Sequence, residues 1–79
     1  MRYAVIYKNR PTMKGLDEFF VDNYTTSPSL DKAMKFDVAE VAIMTALGRP
    51  TIDGSHLPAQ VVEVYEKPVQ VEYSLGKTL

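Results

Sequence analysis

Val38-Ala39-Glu40-Val41-Ala42-Ile43-Met44-Thr45-Ala46-Leu47 is the stretch on which the fold turns: of its ten residues only Glu40 and Thr45 are polar. Asp37 followed by Glu40 has the form of a capping box with Asp in place of Ser or Thr. Gly48 stands where a helix C′ residue belongs, and Pro50 follows two residues later. The stretch therefore reads as a helix with a start and a stop. At 100° per residue, Val38, Ala42, Ala46, Ala39, Ile43 and Leu47 sweep one continuous half-turn, and its alanines let the helix approach a sheet closely. Glu40, Thr45, Val41 and Met44 lie outside that half-turn. Val41 and Met44 then face outward, where either the Thr51–Pro58 loop or another protein covers them.

Working outward, Tyr3 to Lys8 is apolar on both parities, with Tyr3, Val5 and Tyr7 on one face and Ala4 and Ile6 on the other. That pattern predicts a central strand covered on both sides. Asn9 to Gly15 reads as a long loop, and Glu18 to Tyr24 as a second strand antiparallel to the first. Thr25 to Ser29 reads as a turn, with Ser29 capping a short helical turn from Leu30 to Lys35 that places Leu30, Ala33 and Met34 on one side. Beyond the main helix, Thr51 to Pro58 is a loop and Gln60 to Glu66 a third strand beside the first. Lys67-Pro68 makes a hairpin or bend, Val69 to Ser74 alternates as a half-exposed strand, and Gly76 to Leu79 reads as a loose tail. The β-β-α-β-β order predicts a single α+β domain over residues 1–79, with a small antiparallel or mixed sheet of about four strands and one main helix on one face.

A chain of 79 residues with no cysteine and one histidine has no disulfide to supplement a small core, and oligomerisation, a homodimer in the simplest case, is the remaining common supplement. The opening residues lack the apolar stretch of a signal peptide, and no run approaches the ~20 residues needed to span a bilayer. The expected location is the cytoplasm, with no membrane partner. His56 lies close to Asp53 and Ser55, but side chains adjacent in a loop do not supply the geometry of a catalytic triad, and two ligands are short of a metal site. No catalytic residue, metal ligand or cofactor is expected, and the chain reads as non-enzymatic.

The net charge of −1 is unevenly spread. Residues 1–15 hold Arg2, Lys8, Arg10 and Lys14 and no acid, giving +4; residues 16–79 hold five cations and ten acids, giving −5. Arg2, Lys8, Arg10 and Lys14 beside Tyr3 and Tyr7 form the kind of basic, aromatic set on which nucleic-acid modules stack bases. The five tyrosines also suit a protein interface or ordinary sheet packing. Two readings of function result. One is protein binding through Val41 and Met44 on the helix, or through an edge strand carrying Tyr73. The other, less favoured, is nucleic-acid binding through the N-terminal set.

The stretch Leu30-Asp31-Lys32-Ala33-Met34-Lys35-Phe36-Asp37, then the helix, then Val61-Val62-Glu63-Val64, resembles a pattern of small phage and prophage proteins. In that pattern a leucine-x-x-alanine-x-x-phenylalanine stretch precedes a capped helix and a valine-rich strand. The resemblance implies that Leu30, Ala33 and Phe36 anchor the helix to the sheet. It further implies an accessory protein of the host bacterial cytoplasm that modulates host machinery, as anti-CRISPR and other anti-defence proteins do.

Overall fold

The computed structural model describes residues 1–10, 16–48, 59–67 and 72–79, without the side chains of Asn9, Arg10 and Leu16. Five strands form one sheet: β1 (Arg2–Arg10), β2 (Leu16–Asp22), β3 (Thr25–Ser27), β4 (Ala59–Lys67) and β5 (Glu72–Thr78). Their order is β3-β2-β1-β4-β5, and every neighbouring pair is antiparallel. β1 is the central strand, as its two apolar parities predict. It pairs with β2 through Ile6 with Phe19 and Tyr7 with Glu18, and with β4 through Val5 with Val61 and Ala4 with Val62. One helix, α1 (Ala39–Gly48), packs on β1 and β4.

Strand alternation divides the core in two. Val5, Tyr7, Phe20, Phe36, Ala42 and Val61 pack together on the α1 side, with Tyr3, Ala46 and Ala59 at their margin. Ala4, Ile6, Phe19, Ala33, Val62 and Val64 pack together on the other side, with Leu30 and Tyr73 against them. Among the described residues no α-helix covers that second face. A strap does: a single 3₁₀ turn at Leu30–Lys32 that continues through Ala33. The chain then passes beside β1 from one face of the sheet to the other. Phe36 marks the crossing. Its N–H donates to the Tyr3 carbonyl at 2.7 Å and its carbonyl accepts from the Tyr3 N–H at 2.8 Å, an antiparallel bridge on the β2 side of β1. Its ring stacks on Phe20 with centroids 6.0 Å apart.

Several expectations from sequence are corrected. The sheet has five strands rather than four, because Thr25–Ser27 is a short edge strand and not a turn. The reversal before it is tight, with Asp22 Oδ1 accepting the Tyr24 N–H at 2.8 Å, so the β-branched threonines are free to extend and pair with β2. The Leu30–Lys35 helical turn is shorter than expected, Ser29 makes no side-chain cap, and Met34 is exposed. Its N–H goes to the Phe20 carbonyl at 2.9 Å, which turns its side chain away from Leu30 and Ala33. Asp37 is not the N-cap of α1: the first intrahelical bond runs from the Ala42 N–H to the Val38 carbonyl, one residue later than the capping box requires. Gly48 closes the helix instead of following it. Gly76 to Leu79 is no tail, since β5 runs to Thr78 and the Leu79 N–H donates to the Val61 carbonyl at 2.8 Å. The long loops, the Lys67-Pro68 bend with Val69 and Val71, and Asp53, Ser55 and His56 all fall wholly or partly outside the described residues.

Candidate protein interface

α1 is inverted relative to an ordinary surface helix. Its sheet-facing side is made of small groups: Ala42 is 0% exposed, and Ala39, Ala46 and Thr45 are half-buried. Its large side chains point away from the sheet. Val41 is 49% exposed and Met44 72%, as the helical projection anticipates. Ile43 at 40% and Leu47 at 73% join them, although the projection places both against the sheet. The helix is rotated from its expected setting because Thr45 can turn inward. Its hydroxyl donates to the Val41 carbonyl at 2.9 Å, so a half-buried Thr45 leaves no polar group unsatisfied. The resulting outward arc, about 160° wide at 100° per residue, runs through Ile43, Leu47, Glu40, Met44 and Val41. Glu40 is its one charge. Val38, which the projection also sets against the sheet, is exposed just ahead of the helix and extends the apolar surface.

Tyr73 lies elsewhere. β5 is an edge strand, but the Tyr73 ring packs against the strap-side core and carries the Lys35 ammonium 4.0 Å above its centroid. Tyr73 is therefore on the opposite side of the sheet from Val41 and Met44, and the three do not form one surface. Lys35 is held below the usual lysine range, chiefly because partial burial disfavours its charge. Arg2 adds to that shift, while Asp31 and Glu66 oppose it.

The edge at β5 is also irregular. Its register slips between the Val62–Thr78 and Val64–Leu75 pairs, and Glu63 Oε1 fills the break by accepting both the Lys77 N–H at 3.2 Å and the Tyr65 hydroxyl at 3.0 Å. That hydroxyl bond, then the Glu63 charge and some desolvation, raise the Tyr65 pKa. The Tyr65 ring lies over Gly76, where a Cβ would run into the ring carbon Cε2. A bulged edge of this kind resists pairing with another strand.

The basic, aromatic N-terminal set does not converge either. Alternation sends Arg2 and Lys8 to the strap side and Tyr3 and Tyr7 to the α1 side. Arg2 pairs with Glu66 at 3.2 Å and Lys8 with Asp17 at 3.0 Å. Tyr7 is 3% exposed and Tyr3 half-buried, both in the core beneath α1, so the Tyr7 ring has no open face for a base. Arg10 ends β1 with its side chain undescribed, and Lys14 lies outside the described residues. Among the described residues there is no grouping of three or more His, Asp or Glu side chains placed to hold a metal, and no helix is long and apolar enough to cross a membrane. Compared with protein-family models, curated proteins and solved structures, the chain matches none.

Proposed function

We propose that this chain is a small non-enzymatic accessory protein of the phage type, acting by binding a host protein through the outward face of α1. One observation carries the reading: α1 turns its alanines to the sheet and Val41, Ile43, Met44 and Leu47 to solvent. A helix stabilised only by its own sheet gains from the reverse arrangement, since each buried large apolar side chain is worth roughly 1.5–3 kcal/mol over an exposed one. Leaving four of them outside on ten residues is consistent with a further layer supplied by a partner. The sequence resemblance from about Leu30 to Tyr65 points the same way, toward modulation of a host or anti-defence target in the bacterial cytoplasm.

The test is the double substitution Val41→Glu with Met44→Lys. The variant is expected to stay folded, with an unfolding free energy within about 0.5 kcal/mol of the parent, as exposed positions allow. It is also expected to lose the host protein that the parent retains from a lysate. Loss of the folded state would place both side chains in the core and end the reading.

A further inference from the structure

We infer that Met44 is an oxidation-sensitive site, and that its conversion to the sulfoxide turns off the docking face of α1. The inference rests on the docking reading above and adds its regulation. The chain has no cysteine and no tryptophan, so the sulfur atoms of its four methionines are its targets for a two-electron oxidant such as hydrogen peroxide. Met1, Met34 and Met44 are described, and Met13 lies outside the described residues. Met44 is the most exposed of the three at 72%, against 67% for Met1 and 47% for Met34. It belongs to neither core cluster.

Position matters more than exposure. At 100° per residue the outward arc runs through Ile43, Leu47, Glu40, Met44 and Val41 in that order. Glu40 takes the middle place, and Met44 is the apolar residue that joins Val41 to Leu47, its neighbours three residues away on either side. As a thioether Met44 is a pliable apolar side chain of the kind that fits irregular partner surfaces. Hydrogen peroxide changes that in one balanced step. The sulfur lone pair attacks a peroxide oxygen, and an S–O bond forms as the O–O bond breaks. The departing hydroxide takes the proton from the new S–OH group and leaves as water. Sulfur is oxidised by two electrons and peroxide is reduced by two. The sulfoxide oxygen is a strong acceptor that an apolar partner surface leaves without a donor. With Glu40 beside it, two adjacent places on the arc are then polar, and Val41 is cut off from Leu47 and Ile43. Met1, ahead of β1, and Met34, on the strap, do not lie on this arc, so oxidation there leaves the face unchanged. A thiol-dependent methionine sulfoxide reductase reverses the step.

The experiment treats the full chain with hydrogen peroxide and reads three things: sulfoxide at each methionine by peptide mass spectrometry, retention on a phenyl matrix, and the urea unfolding midpoint. Met44 is expected to be converted faster than Met34. Retention should then shorten to that of Met44→Gln, a polar side chain of similar length, while the urea midpoint stays where it was. Methionine sulfoxide reductase with a thiol should restore the original retention. Met44→Leu, apolar and inert to peroxide, should keep its retention although its other methionines are oxidised. Full conversion of Met44 with unchanged retention overturns the inference, and so does an equal loss of retention in the oxidised Met44→Leu chain. A Met44 that resists peroxide while Met34 is converted also overturns it, as does a fall in the urea midpoint that oxidised Met44→Leu does not share, since either shows a side chain packed in the fold. The docking reading is judged separately. Unchanged retention in Val41→Glu with Met44→Lys overturns both, whereas reduced retention in that variant with unchanged retention in the oxidised parent overturns this inference alone.

Discussion

On one side of the sheet, α1 turns Ala39, Ala42 and Ala46 inward and leaves Val41, Ile43, Met44 and Leu47 outward. On the other, the strap turns Leu30 and Ala33 inward and shows Asp31 and Lys32 to water. The strap has almost no regular structure, yet beneath it Ala4, Ile6, Phe19, Val62 and Val64 are all buried. Its outer surface is polar at Asp31 and Lys32 and apolar only at Met34, and the Lys35 ammonium over Tyr73 seals its margin. The helix is the better ordered cover by hydrogen bonding and the poorer one by polarity. The difference teaches that regularity of a covering element and completeness of the surface it makes are separate properties. Strap and sheet together form a finished exterior, and α1 does not.

The sharpest way to break this comparison is at Phe36, which joins the two covers. Phe36→Ala removes the stack on Phe20 and loosens the crossing, and is expected to cost about 3–5 kcal/mol, read by urea unfolding. A chain of this size has little margin above that, so an unfolded product is the expected limit. Next come the two alanines that set each cover on the sheet. Ala42→Leu is expected to lift α1 and cost about 1–3 kcal/mol. Ala33→Leu should cost about 1 kcal/mol, because a non-helical strap can shift to accept the larger group. Equal costs would show that the strap is seated as rigidly as the helix.

The smallest effect is expected at the strap margin. Lys35→Ala removes the contact with the Tyr73 ring, at about 0.5–1 kcal/mol, and relieves the desolvation of the ammonium. The folded pKa of Lys35 lies below its ordinary value of 10.5. The folded state therefore sheds this proton first, and the side chain's electrostatic penalty is present below the folded pKa and relieved as pH rises toward 10.5. The stability difference between parent and variant should shift in favour of the parent over that interval. Because it is a difference, the titration of Tyr65, common to both chains, cancels.

Most of the sheet was legible in the sequence because strands declare their faces by alternation. The two apolar parities of Tyr3–Lys8 place β1 at the centre and β4 beside it. The outward position of Val41 and Met44 followed from helical projection. The setting of Ile43 and Leu47 did not, since it depends on Thr45 satisfying its hydroxyl within the helix. The second cover was also hidden. Leu30, Ala33 and Phe36 look like one anchoring row, but the first two serve the strap side and Phe36 the α1 side, and three residues of spacing cannot reveal that the chain crosses the sheet between them. The extension of β5 past Gly76 was masked by a glycine-containing end that reads as frayed until the Tyr65 ring is seen lying over it.

The strand order has a consequence for how the molecule is made. Of the five strands β1 is synthesised first, yet it occupies the middle of the sheet, and its longest partner, β4, is made only after β2, β3 and α1. Until then one side of β1 lacks its strand and the β2–β3 meander holds the other, so the sheet closes only once β4 has been made. Such late closure of distant segments slows folding. It also leaves the greasy central strand open to chaperones and to unwanted self-association during synthesis.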